Sequence, residues 1–100
     1  MYVTQLIYIV NGQEEIFNQF EALAIPIIRK YNGKLLLRVR PGADNVIEVN
    51  DIDVPYEMHL VAFDEESDFE NFLRDDERKK FLHLKEQSVR SVLLIKGKAL

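Results

Sequence analysis

Glu57 and His59 stand two residues apart in a run, Pro55 to Phe63, that reads as extended chain. Side chains alternate along a strand, so the carboxylate and the imidazole share one face, with Val61 and Phe63 further along it. Tyr56, Met58, Leu60 and Ala62 fall on the other face, which is wholly apolar and reads as the one packed on a core. A carboxylate beside an imidazole can orient the ring and stabilise its charged form, which suits His59 to the role of general base. Arg38 and Arg40 share one face of an earlier extended run, and Arg90 belongs to the last one. Facing side chains on adjacent antiparallel strands lie about 5 Å apart, so the guanidinium groups can reach Glu57 and His59. In a functional reading Glu57 orients His59, while Arg38, Arg40 and Arg90 bind an anionic substrate. Tyr8 could add a hydroxyl to the pocket. The competing reading is an ion-pair network across a dimer interface, satisfied without any ligand, with Tyr8 a core aromatic whose hydroxyl reaches an edge.

Metal binding has little behind it. Glu57 and His59 offer two ligands on one face, but His83 is the only other histidine and falls in a helical segment far along the chain. The expectation is no metal. Ser67, Ser88 and Ser91 lack the strand-turn-helix context of a nucleophilic serine. The glycines punctuate turns and form no phosphate loop. The charge run from Asp75 to Lys80 reads as a solvated helix face.

Composition narrows the classes further. The chain of 100 residues suits a single domain, read as residues 1–97 with a short tail over 98–100. With no cysteine, disulfides and thiolate metal sites are excluded, and a reducing cytoplasm is the expected home. A formal charge of −4 argues against nucleic acid as partner. Met1 to Val10 has neither the basic leader nor the small-residue cleavage site of a secretory signal. The run Ala22 to Ile28 is far short of the roughly 20 residues that span a bilayer, so no membrane partner is expected.

The elements that must position these residues follow from periodicity. Tyr2 to Val10 is a strand with apolar residues on both faces, closed by Asn11-Gly12. Ile16, Phe20, Leu23, Ile27 and Tyr31 recur at helical spacing over Glu14 to Tyr31. Pro26 removes a backbone donor and predicts a kink or break there. Gly33 is expected to take the left-handed cap position after it. Lys34 to Arg40 is a second strand, with Leu35, Leu37 and Val39 on one face and Leu36, Arg38 and Arg40 on the other. Ala43 to Val54 is a loop in which Val46 to Val49 could add a short strand. Asp64, as N-cap, opens a helical region to Leu84 that Asp75 and Asp76 divide in two. Ser88 to Lys96 is the last strand.

The order β-α-β-β-α-β is the ferredoxin-like arrangement, an α+β fold with a four-stranded antiparallel sheet. Right-handed crossovers put both helices on one face of the sheet. Glu57, His59, Val61, Phe63 and the arginines are then expected on the uncovered face. An apolar patch of that size is uncommon on a monomer, and a second copy packed sheet to sheet is the simplest cover, which predicts a two-fold homodimer.

Tyr31, Gly33, Leu35-Leu36-Leu37 and Arg38 resemble the Tyr-x-Gly-Gly, apolar, Arg signature of a small bacterial family of unknown function. The strand ending at Phe63, then Phe69 to Leu73, Arg78 to Leu84, and Arg90-Ser91 before an apolar strand and Gly97 are similar to its second half. The chain departs from that pattern at Asn32, in place of the first paired glycine, and at Val39-Arg40, where the family has Gly-Gly. That family belongs to the dimeric α/β-barrel superfamily, with EthD-like proteins, quinol or antibiotic monooxygenases and muconolactone isomerases. The resemblance implies a homodimeric barrel of bacterial origin that binds a small organic molecule, with any isomerisation or oxygenation independent of a cofactor. Its rivals are a non-enzymatic interaction module and a heme-handling protein with His59 as axial ligand.

Overall fold

A computed structural model describes residues 1–100 of the chain. The strands are β1 (Tyr2–Ile9), β2 (Gly33–Val39), β3 (Glu57–Phe63) and β4 (Val89–Gly97). They form one four-stranded sheet in the order β2-β3-β1-β4, every neighbouring pair antiparallel. The helices are α1 (Glu14–Ala24), α2 (Glu66–Leu73), α3 (Asp76–Lys79) and α4 (Leu82–Ser88). This is the expected ferredoxin-like α+β fold, with β1 and β3 central.

The helical segments depart from expectation in detail, for local reasons. Pro26 cannot donate a backbone hydrogen bond, and α1 stops at Ala24. The chain then tightens into a 3-10 turn over Ile25–Tyr31 instead of kinking and continuing as α-helix. Asn32, not Gly33, takes the left-handed conformation that ends it, at φ 56°. Gly33 opens β2 and is needed for space, because a Cβ there would lie 2.7 Å from the Phe63 ring and closer still to Ile28. The N-cap of α2 is Glu65, one residue past Asp64, in a reciprocal capping box with Asp68. The second helical region has three pieces. Asp75 breaks it as expected, accepting the backbone N–H of Arg78 at 2.8 Å to cap α3. Val46 to Val49 forms no strand.

The two faces of β3 are exchanged relative to expectation. Glu57, His59, Val61 and Phe63 are all buried beneath the helices, alongside Val3 and Ile7 of β1. Val3, Ile28, Val61, Phe63 and Phe69 form the core cluster, and Phe63 packs against Phe69 and Phe72 at centroid distances of 5.5 and 5.9 Å. Met58, Leu60 and Ala62 lie on the uncovered face, with Leu6 of β1 and Leu93 and Ile95 of β4. Leu37 and Leu93 on that face are 50% and 51% exposed, so the apolar surface left bare is real but carries a different row of residues.

A bulge decides where the arginines go. Leu35 pairs with Val61, but Leu37 pairs with Leu60, so β2 carries one extra residue between them. Plain alternation from Leu35 would turn Arg38 away from the helices. With Leu36 inserted, Arg38 pairs with His59 and enters the covered side, while Leu37 and Val39 turn to the bare face.

Candidate functional site

Glu57 is the hub of the charged cluster and is completely buried. Arg38 Nε donates to its Oε2 at 2.9 Å, and Arg40 Nε donates to its Oε1 at 2.9 Å. Arg40 is fixed in turn by Asn18 of α1, whose Oδ1 accepts from Nη2 at 2.6 Å, and by the Tyr56 ring beneath its guanidinium. His59 Nε2 lies 2.5 Å from Glu57 Oε2. Burial raises the Glu57 carboxyl, but hydrogen bonds from His59, Arg38 and Arg40 outweigh it and hold the group down at about 2. The carboxylate is therefore ionised, has no proton to give, and accepts a hydrogen bond from His59 Nε2. That hydrogen bond orients the ring and leaves Nδ1 as the nitrogen free to exchange a proton.

A second buried carboxylate completes the group. Glu21 of α1 places Oε2 3.8 Å from His59 Nε2. Burial pushes its carboxyl up, only partly offset by His59. Glu21 was not among the residues the sequence singled out. Its signal was there, because Phe17, Ala24 and Ile28 precede and follow it at helical spacing and place it on the buried stripe.

His59 and Glu21 face a cavity of about 290 Å3 between the sheet and the helices. Most of its wall is apolar, from Val3, Ile7, Phe17, Phe20 and Phe69 among others. Gln5, the register partner of His59, lies in the floor, and Arg78 and Lys85 come in from α3 and α4. An apolar chamber with a few convergent polar groups is the usual form of a small-molecule site. Arg38 and Arg40 do not line it, since their Nε groups are engaged behind His59 by Glu57.

Tyr8 and Arg90 are not part of this group. The Tyr8 hydroxyl donates to the Asp53 carbonyl at 3.0 Å, Arg90 approaches the Asp53 carboxylate at 3.4 Å, and the guanidinium stacks over the Tyr8 ring. A register shift in the β1–β4 pairing leaves Arg90 as an extra residue and turns it to this shallow surface site. His83 is exposed on α4.

Glu21, Glu57 and His59 bring potential ligand atoms within 4.8 Å of one another. The donor set fits a divalent cation poorly, because both oxygens of Glu57 already face guanidinium groups that would repel it.

No protein-family model matches the chain, and no curated protein matches it. Solved structures do share its fold. A protein of unknown function from Rhodopseudomonas palustris superposes with a TM-score of 0.83 at 12% identity, over 99% of this chain and 81% of that one. A NIPSNAP family protein with unknown function from Agrobacterium tumefaciens gives 0.66 at 16% identity, over 94% and 82% of the two chains. A protein from Arabidopsis thaliana gives 0.69 at 12% identity, over 99% and 96%. No helix is long and apolar enough to cross a membrane.

Proposed function

We propose that the chain forms a homodimeric α/β barrel in which each protomer binds a small organic molecule in the cavity between its sheet and its helices. His59 acts there as general base. The observation that carries the reading is the placement of His59 in the cavity wall, with ionised Glu57 hydrogen-bonded behind it. A neutral imidazole with its Nε2–H held by a carboxylate is oriented to take a proton, and the charge that develops is stabilised by that carboxylate. Arg38 and Arg40 keep Glu57 ionised and in place, so they are positioning residues rather than substrate ligands. Such proton transfer needs no cofactor. Dimerisation is supported by the bare apolar face, where Leu6, Leu37, Met58, Leu60, Leu93 and Ile95 would meet their copies across a two-fold axis.

A second reading is favoured by one observation. Both oxygens of Glu57 are satisfied within the protein, as they would be in a purely structural network. Native mass spectrometry of the protein as purified from cells separates the two. A dimer carrying a small-molecule mass, with the added mass lost in His59→Ala while the dimer remains, is the expected result. A dimer without added mass in both proteins supports the structural network, and a monomer overturns the barrel.

A further inference from the structure

Two cations in the cavity wall have no carboxylate within ion-pair distance, although Glu21 shares that wall. Arg78 is 8% exposed and Lys85 half-buried, and neither takes part in any ion pair. The other unpaired cationic side chains, Arg29, Lys34, Arg74, Lys80 and Lys98, are all exposed to water. Arg78 Nε is buried without a hydrogen-bond partner in the protein. Its guanidinium is otherwise held only by a long hydrogen bond to the Leu73 carbonyl, 3.4 Å, and by the Phe72 ring, 5.1 Å away. Asp75 next to it is no remedy, since it takes the Arg78 backbone N–H and is otherwise engaged by Tyr31 and Lys30. Burying a charge without a partner costs several kcal/mol. Buried polar groups left open in this way call for a specific explanation.

We propose that Arg78, with Lys85 beside it, binds the carboxylate of a small organic acid whose apolar body fills the cavity. This inference rests on the cavity being a ligand site. A guanidinium is built for this task, with N–H donors in a planar fork that matches a carboxylate. The apolar wall selects an aromatic or aliphatic body. The volume, about 290 Å3, lies at the small end of ligand pockets and limits that body to one ring or a short chain.

The test compares phenylacetate with its neutral isostere phenylacetamide, by calorimetric titration of the intact protein. The acid is expected to bind at least about tenfold more tightly than the amide, as a charge-assisted hydrogen bond predicts. Arg78→Met keeps the apolar stem, and in it that preference should disappear while the amide still binds. Without ligand, Arg78→Met should melt above the wild type, because a buried charge with no ion pair and an open Nε has been removed; a structural role predicts a lower melting temperature. Arg78→Lys keeps the charge, should retain the preference, and decides the matter if Arg78→Met does not fold. Equal binding of acid and amide by the wild type overturns the anchor but leaves the cavity a ligand site. Binding of neither overturns both.

Discussion

His59 and Glu57 face each other two residues apart on the same strand, with Nε2 2.5 Å from Oε2, and the pair lies wholly beneath the helices. Because one partner is a buried anion and its counter-charges reach it from the rim, the residues of the network are unequal in what their loss costs.

Glu57→Gln removes the one negative charge that Arg38, Arg40 and His59 share. Breaking a buried pair in this way costs about 3 kcal/mol or more, since the remaining charges lose their partner. Arg40→Ala should cost only about 1 kcal/mol, because Arg40 is partly exposed and Arg38 remains on the carboxylate. Urea denaturation of the two variants checks the asymmetry, and equal losses would refute the hub.

Acid should unfold the protein through two carboxylates in particular. Glu57 is held at about 2 against an ordinary 4.5, and Asp75 at about 2 against 3.8, by the Tyr31 hydroxyl first and then the Arg78 backbone N–H and Lys30. The unfolded chain binds more protons than the folded one between those values. Stability from both groups is therefore complete above the ordinary values and is lost as pH falls toward 2. Melting temperatures should drop steeply below about pH 4.5, and the drop should be shallower in Glu57→Gln.

Glu21 carries the opposite sign. Burial raises its carboxyl, so the folded state holds that proton more tightly and stability falls as pH rises above the ordinary 4.5. Glu21→Gln should melt close to the wild type at pH 4 and above it at pH 8. A variant less stable at pH 8 would show that ionised Glu21 is paired well enough with His59 to repay its burial.

The bare sheet face should be open to a clean dissociation. Leu93→Glu puts a charge in the middle of the apolar surface without touching the core. Light scattering at micromolar concentration should find a dimer for the wild type and a folded monomer for the variant. A variant that remains dimeric would place the contact elsewhere.

Gly33→Ala tests the tight packing where β2 begins. The added methyl group would meet the Phe63 ring and Ile28. Overpacking of this kind costs about 1–3 kcal/mol, and thermal melting should register it with no change in dimer mass.

Much of the fold was legible because its signals are local. Alternation in β1 and β3, the helical spacing from Ile16 to Tyr31, Pro26 as a breaker and Asp75 as a cap each act within a few residues. The meeting of Arg38 and Arg40 with Glu57 and His59 followed from strand adjacency. The side of the sheet on which they meet did not, because both faces of β3 are largely apolar and Glu21, the second carboxylate beside His59, comes from another element. Leu35-Leu36-Leu37 has no alternation to reveal a phase shift, so the bulge was invisible. Arg78 and Lys85 were lost for a further reason: they sit in short helical pieces, too brief for a period to mark their inward side.

The single extra residue at Leu36 acts as a switch of polarity for half a strand. Were Leu36 paired in a regular ladder instead of bulged, the two guanidinium groups would turn to the bare face while Leu37 and Val39 turned inward, with no change in composition. Whether the ladder takes up the extra residue as a bulge thus makes or unmakes the charged group in a protein of identical topology and sequence. A chain lacking Leu36 would reach the same arrangement by plain alternation, so the bulge is what lets this longer strand keep both arginines beside Glu57.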